Sequence, residues 1–100
     1  MDFSLTDLEM KAARALVQSC LDGMGGEHPL DLEDDEYTWV EPSDLVTSLN
    51  ISKHQAAGLF SSLSEKKFLF DMGEPFNAFG DPQAHWVVAT EGWRWIAKYW

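Results

Sequence analysis

Apolar residues near the start of the chain recur at the spacing of an α-helix. The repeat consists of Leu8, Ala12, Leu16, Cys20 and Met24, with Ala13, Val17 and Leu21 beside it. Because a helix turns once every 3.6 residues, these positions predict one buried helical face. Thr6 and Glu9 have the spacing of a capping box, which predicts the start of this helix. Gly23 predicts its end.

Two further helices are predicted in the middle of the chain. Pro42 begins a short helix with Ser43 as its cap, and Asn50 ends it because Asn tolerates the left-handed conformation. Ser52 begins a second capping box, and the helix after it extends to about Lys66. The buried stripe of this longer helix consists of Ala56, Leu59, Phe60 and Leu63.

Short runs of β-branched and aromatic residues predict three strands. These runs are at residues 37–40, 68–70 and 85–89. A loop over 71–84, which contains two glycines and two prolines, separates the last two strands. Thr90 is predicted to cap a final helix that runs to about Trp100.

The order of these elements is the strongest indication of the fold. The two middle helices are joined by residues 50–52 and form a helix-turn-helix, in which Ile51 is expected to fill the crevice between them. The informative runs are Asp44-Leu45, Leu49-Asn50-Ile51-Ser52, Leu59, Leu63, Lys66-Lys67-Phe68-Leu69 and Val88-Ala89-Thr90-Glu91-Gly92. Over roughly residues 37–97 the sequence resembles the winged helix-turn-helix superfamily, in particular MarR-like bacterial regulators. The resemblance implies an α+β fold with a three-helix core, a small antiparallel β-wing and a C-terminal helix, in one domain over 1–100.

The resemblance also implies a DNA-binding transcriptional regulator, with the helix over 53–66 as its DNA-contacting element. The face opposite the buried stripe consists of His54, Ala57, Gly58, Ser61 and Glu65. The predicted DNA contacts are His54, Gln55, Ser61 and Ser62 to bases, with Lys53 and Lys66 to phosphates. Lys66 and Lys67 are, however, more typical of a solvated helix end than of a phosphate clamp. Gly58 fits either the close approach of a partner or a tight contact inside the domain.

The predicted wing departs from the MarR-like pattern. MarR-like wings carry an Arg for the minor groove, whereas residues 71–85 contain three acids and neither Lys nor Arg. Since phosphate contacts dominate the affinity for DNA, we expect DNA binding to be weak and sharply dependent on salt.

Charge adds an alternative function. The net charge is −10, and residues 22–44 contain nine Asp and Glu but neither Lys nor Arg. This excludes a wholly basic nucleic-acid coat and a protein held to anionic lipid by charge alone. Residues 23–36 are predicted to form a long exposed loop, within an acidic insertion at about 22–36. The alternative is a winged-helix protein-interaction module, or a nucleic-acid-mimicking inhibitor of the phage type, that binds a basic protein surface. Its predicted contacts are Asp31, Glu33, Asp34, Asp35 and Glu36.

Catalytic and metal chemistry is not indicated. No nucleophile–base pairing is visible, so we expect no enzymatic activity, no metal site and no cofactor. The single cysteine, Cys20, favours the reducing cytosol over a disulfide-forming compartment. No apolar run approaches the roughly 20 residues that span a bilayer, so a cytoplasmic protein without membrane contact is expected.

The C-terminal helix is rich in aromatic residues. Since a short helix turns only one side to its own core, some of these side chains are expected outside it, and aromatic residues are enriched at interfaces. The predicted homodimer interface consists of Trp93, Trp95, Tyr99 and Trp100. In the alternative interpretation these tryptophans complete a small core.

Overall fold

The computed structural model describes residues 3–32, 39–71 and 86–100. Within these ranges the chain forms four α-helices and one three-stranded antiparallel sheet, which confirms the predicted α+β class. The helices are α1 (Asp7–Met24), α2 (Pro42–Leu49), α3 (Lys53–Glu65) and α4 (Thr90–Ile96). The strands are β1 (Trp39–Val40), β2 (Leu69–Asp71) and β3 (Trp86–Val88). None of these helices has the length and apolar character that crossing a bilayer requires.

Both predicted capping boxes are present. Thr6 Oγ1 accepts from the backbone N–H of Glu9 at 3.2 Å, and Glu9 Oε1 accepts from the backbone N–H of Thr6 at 2.8 Å. At the start of α3, Ser52 and Gln55 exchange the same two bonds at 3.1 and 3.0 Å. These side chains satisfy amides that the first turn of a helix leaves without a partner, and so the two starts are set locally.

The start of α2 differs from the prediction. Ser43 is not its cap: Glu41 is the N-cap residue, and its backbone N–H donates to Asp44 Oδ2 at 2.9 Å. Pro42 is the first helical residue, a position where proline's missing N–H removes no helical bond. The other end is as predicted, since Asn50 adopts the left-handed conformation with φ 54°.

The ends of α1 and α4 are also corrected. Gly23 lies inside α1, and Gly25, with φ 77°, ends it by donating its N–H to Leu21 O. Thr90 is the first residue of α4 rather than its cap, and α4 ends at Ile96. A 3₁₀ turn over Ala97–Tyr99 continues the chain.

The core lies along the buried face of α1. This helix contacts α2, α3, α4 and β1, and its inward positions are Ala12, Ala13, Leu16, Val17, Cys20 and Leu21. The four predicted stripe residues of α3 are all buried against it. Phe3, ahead of α1, contributes its ring to the same core, with ring centroids 5.5 Å from Phe68 and 5.3 Å from Trp95.

Leu8 is an exception to the predicted stripe, because 52% of its surface is exposed. Positions four apart rotate by about 40° at each step, so a long repeat of this kind drifts around the helix. Leu8 therefore lies at the edge of the buried face, and Glu9 occupies the inward position in the first turn.

The predicted exposed loop over 23–36 is only partly correct in the part that the structure describes: Gly25, Glu27 and Leu30 are exposed, but the segment is not one continuous loop. Residues 23 and 24 belong to α1, and a 3₁₀ turn over Pro29–Leu32 contacts both α1 and α4. Pro29 is fully buried. The apolar ring of this proline fixes the turn against the helices, although the surrounding sequence is acidic. Residues 33–36 lie outside the described residues.

The strands are arranged in the order β1-β3-β2, and both neighbouring pairs are antiparallel. Trp39 of β1 and Phe70 of β2 both pair with Val87 of β3. The strand prediction is confirmed for each described segment. Residues 37, 38 and 85, together with nearly all of the predicted wing loop, lie outside the described residues.

Substitution of Gly92 by Ala is expected to destabilise the fold. A Cβ at this position would lie 3.0 Å from Cδ2 and 3.3 Å from the backbone O of Phe68, which is fully buried. Such overpacking costs about 1–3 kcal/mol of unfolding free energy. Urea unfolding followed by circular dichroism measures the difference, and unchanged stability would contradict this account of the α4 contact.

Candidate binding surfaces

The outward face of α3 carries the side chains that the sequence predicts for it. His54, Ala57, Gly58, Ser61 and Glu65 are all exposed, opposite the buried stripe. Lys53 and Gln55 are also exposed, and Ser62 is half-buried at the edge of the face. The face therefore combines small side chains with few hydrogen-bonding groups, which leaves the helix backbone accessible to a partner.

Gly58 lies in the middle of this face. A Cβ built there would meet no atom within 4 Å, so no contact inside the described part of the domain requires a glycine. Of the two interpretations left open by the sequence, the tight intradomain contact is therefore not found among the described residues. Glycine inside a helix costs about 1 kcal/mol relative to alanine.

The predicted contact residues differ in their freedom to reach a ligand. The side-chain oxygen Oε1 of Gln55 accepts from the backbone N–H of Ser52, so this side chain is held against the start of α3. Lys53, at the other side of the first turn, is exposed. Lys67 is exposed just beyond the end of α3, in the left-handed conformation with φ 69°.

Lys66 is engaged inside the protein. Its Nζ donates to Glu9 Oε1 at 2.5 Å and to Ser4 O at 2.9 Å. These bonds connect the end of α3 to Glu9 in the first turn of α1, 57 residues away in sequence, and to Ser4 before α1, 62 residues away. The predicted phosphate contact of Lys66 stays a prediction, and making it would require breaking an ion pair with a buried carboxylate.

Glu9 is the buried partner in this pair, with 6% of its surface exposed. Desolvation by burial acts to raise the pKa of its carboxyl, but the hydrogen bonds from Lys66 and Thr6 outweigh it. The net result is a pKa below the ordinary value of 4.5. Glu9 is therefore ionised throughout the physiological range, and its negative charge is matched by the Lys66 ammonium.

Acidic side chains meet where α1 ends and α2 begins. Asp22 and Asp44 line one groove of about 320 Å³ between these helices, together with Gln18, Ser19, Thr47 and Ser48. Gln18 Nε2 donates to Asp22 Oδ1 at 2.9 Å. Asp22 lies in the last turn of α1, where the helix dipole disfavours negative charge, and that turn contains no basic residue.

The predicted acidic contacts are described only in part. Asp31 belongs to the 3₁₀ turn Pro29–Leu32, whereas Glu33, Asp34, Asp35 and Glu36 lie outside the described residues.

Two residues of the predicted oligomer interface are buried inside the chain, and the interface itself stays a prediction. Trp93 and Trp95 lie in the chain's own core, where α4 contacts both α1 and the 3₁₀ turn Pro29–Leu32. Tyr99 is exposed and Trp100 is half-buried. The Arg14 guanidinium lies 5.4 Å from the Trp100 ring centroid. The aromatic residues of the C-terminal segment thus mainly complete the fold of one chain.

Reactive groups are scarce in the described part of the chain. Burial, and secondarily the negative charge of Asp44, raises the pKa of the Cys20 thiol to about 12. A thiol with this pKa stays protonated at neutral pH and is a poor nucleophile. Among residues 3–32, 39–71 and 86–100, no three His, Cys, Asp or Glu side chains form a group suited to a metal ion.

Two features of these surfaces were not predicted from the sequence. The capping pattern identified Glu9 as a helix-start residue but carried no sign of Lys66, because the two are far apart in the chain. The alignment of exposed Trp39 and Phe70 across β3 depends on strand register. The runs of β-forming residues predicted the strands, but such runs do not determine which strands pair or in what register.

Comparisons with known proteins give no match to this chain. No known protein family matches the chain, and neither curated protein sequences nor solved structures give a match.

Substitution of Glu9 by Gln tests the buried ion pair. Gln preserves the capping box, so the change removes charge with little change of shape. We expect a loss of about 1–3 kcal/mol of unfolding free energy at neutral pH, since a hydrogen bond to a charged group contributes this much. Urea unfolding of both proteins measures the loss.

The same pair has a definite pH dependence. Because the pKa of Glu9 is lowered in the folded state, its stabilisation is complete above pH 4.5 and is lost as the pH falls through the folded value. The difference between wild type and Glu9→Gln should therefore shrink as the pH is lowered below 4.5. Glu65→Gln, which neutralises an exposed carboxylate, is the matched control and should change stability by less than about 0.5 kcal/mol. A difference that is independent of pH would contradict the ionic role of Glu9.

Substitution of Gly58 by Ala should stabilise the protein. The backbone there is helical and the space is open, so only the helix preference of about 1 kcal/mol changes. For a domain of this size the midpoint of thermal unfolding should rise by roughly 4–8 °C. A lower midpoint in a circular-dichroism melt would mean that Gly58 has a structural role inside the domain.

Proposed function

We propose that the chain is a winged helix-turn-helix protein that binds duplex DNA through the outward face of α3. The element order supports this: α2 and α3 are joined by a three-residue turn, and β2 and β3 follow as an antiparallel pair. The observation that carries the proposal is the exposure of a smooth helical face, centred on Gly58, with an exposed lysine near each end.

The dimensions of this face suit a major groove. With a rise of about 1.5 Å per residue, α3 is about 20 Å long, and Lys53 and Lys67 lie at its two ends. A major groove about 12 Å wide admits an α-helix, and lysines at both ends of that helix would reach the flanking phosphates. The small side chains between them would bring the helix close to the base edges, where His54 and Ser61 would form the polar contacts.

The affinity of this interface should be modest. Lys66 is paired with Glu9, and Glu65 places a negative charge on the outward face. Lys53 and Lys67 are then the two cations that would displace counterions from DNA. With two phosphate contacts, a transcriptional regulator built on this surface would bind weakly, and its affinity would fall about tenfold between about 50 and 200 mM salt.

A second function is favoured by a different observation. Asp22 places negative charge in the last turn of α1, against the helix dipole, and Asp44 faces the same groove. No basic side chain lines this groove among the described residues. Negative charge at a position where the helix dipole disfavours it suits a protein-interaction module that binds a basic partner through residues 22–44.

The DNA proposal is tested by fluorescence anisotropy with a labelled duplex between about 50 and 200 mM salt. The slope of log K against log salt should be about −2, since two phosphates are contacted. Lys53→Gln and Lys67→Gln should each weaken binding and flatten the slope by about 1.

Lys11→Gln is the matched control for this experiment. Lys11 is an exposed lysine on α1, whose buried face is turned towards α3, so its removal changes the net charge equally without touching the proposed interface. The proposal fails if the duplex is not bound at low salt, or if Lys11→Gln weakens binding as much as Lys53→Gln does.

A further inference from the structure

The chain leaves α3 through a residue in the left-handed conformation. Lys67 has φ 69°, and its backbone N–H donates to Ser64 O at 3.0 Å. The backbone N–H of Phe68 donates to Leu63 O, also at 3.0 Å. These two bonds form a Schellman motif, in which glycine is the usual left-handed residue because it has no Cβ. A lysine at this position is therefore strained.

Both neighbours of Lys67 are fixed in the fold. Lys66 Nζ donates to Ser4 O at 2.9 Å and to Glu9 Oε1 at 2.5 Å. Phe68 is fully buried, and its backbone O accepts from a backbone N–H of the segment before α4 at 2.9 Å. A strained conformation persists where the surrounding structure holds it, and such residues cluster at ligand-binding sites. The fold thus holds Lys67 from both sides.

The side chain of Lys67 is exposed at this turn. Within residues 3–32, 39–71 and 86–100, no hydrogen bond or ion pair engages it. Stability alone would favour glycine at this position, since no polar contact of the lysine offsets its strain. A cation at a strained and exposed position suits an anion outside the protein, and in the proposed function that anion is a DNA phosphate.

We infer that Lys66 is a positioning residue for the DNA contact of Lys67. This inference rests on the proposed DNA-binding function and gives Lys66 a role other than the phosphate contact predicted for it. Through its bonds to Ser4 and Glu9, Lys66 holds the end of α3 against the start of α1, so that Lys67 is in place before DNA arrives. A contact that is ordered in advance loses less conformational entropy on binding.

A double-mutant cycle with a labelled duplex tests this role. Lys66→Met keeps the apolar stem of the side chain and removes both of its bonds, whereas Lys67→Gln removes the proposed contact. At about 50 mM salt, Lys66→Met should weaken binding at least about twofold in the wild-type background. In the Lys67→Gln background it should weaken binding no more than Lys11→Gln does, because the residue that it positions is absent.

The cycle separates positioning from direct contact. Two independent phosphate contacts would weaken binding additively, so an equal effect of Lys66→Met in both backgrounds overturns the inference. No effect beyond that of Lys11→Gln in the wild-type background overturns it as well. Circular dichroism checks that each variant is folded. If Lys66→Met does not fold, Lys66→Gln, a milder change that keeps a hydrogen-bond donor, replaces it in the cycle.

Substitution of Lys67 by Gly tests the strain without DNA. Lys67→Gly should raise the midpoint of thermal unfolding by about 4 °C, because glycine adopts the left-handed conformation freely. Lys67→Ala is the matched control: it removes the same charge but keeps a Cβ, and it should not raise the midpoint. Both variants should weaken duplex binding. If Lys67→Gly does not raise the midpoint, or if Lys67→Ala raises it equally, Lys67 is not strained and the inference is overturned.

Failure of the DNA proposal and failure of this inference give different results. If wild type does not bind the duplex at about 50 mM salt, the DNA-binding function itself fails, and the inference fails with it. If wild type binds and Lys67→Gln weakens binding, but Lys66→Met acts equally in both backgrounds, only the positioning role is wrong. Lys66 then contacts DNA by itself.

Discussion

The buried face of α1 is the constraint on which the rest of the described structure depends. Helices α2, α3 and α4 and strand β1 all contact it, so each is positioned by the shape of this one surface. Ala12 and Ala13 are completely buried, and their small side chains let neighbouring elements approach the helix axis closely.

The orientation of α3 follows from this arrangement. Its buried stripe packs into the core, its start is set by the Ser52 capping box, and its end is tied through Lys66 to Glu9 and Ser4. With both ends held, the outward face is a fixed surface. The same contacts engage Lys66 inside the protein, where Glu9 matches its positive charge.

Charge is separated in a way that suits two different partners. The lysines near the ends of α3 would serve DNA, whereas Asp22, Asp44 and the acidic residues around β1 would serve a basic protein. Since a polyanion and a polycation require opposite potentials, the two proposed contacts make opposite predictions for charge-reversal variants.

Local sequence signals by themselves determined the starts of α1 and α3, the buried stripe of α3, and the left-handed end of α2 at Asn50. Each depends on residues within about four positions of one another, as capping and helical periodicity do. The same periodicity predicted that the small side chains of α3 lie on its outward face. The tertiary structure alone decided the burial of Trp93 and Trp95, the exposure of Leu8, the pairing of Lys66 with Glu9 and the alignment of Trp39 with Phe70. These features bring together residues that are distant in the chain, and only the packing of whole elements against α1 sets which of them meet.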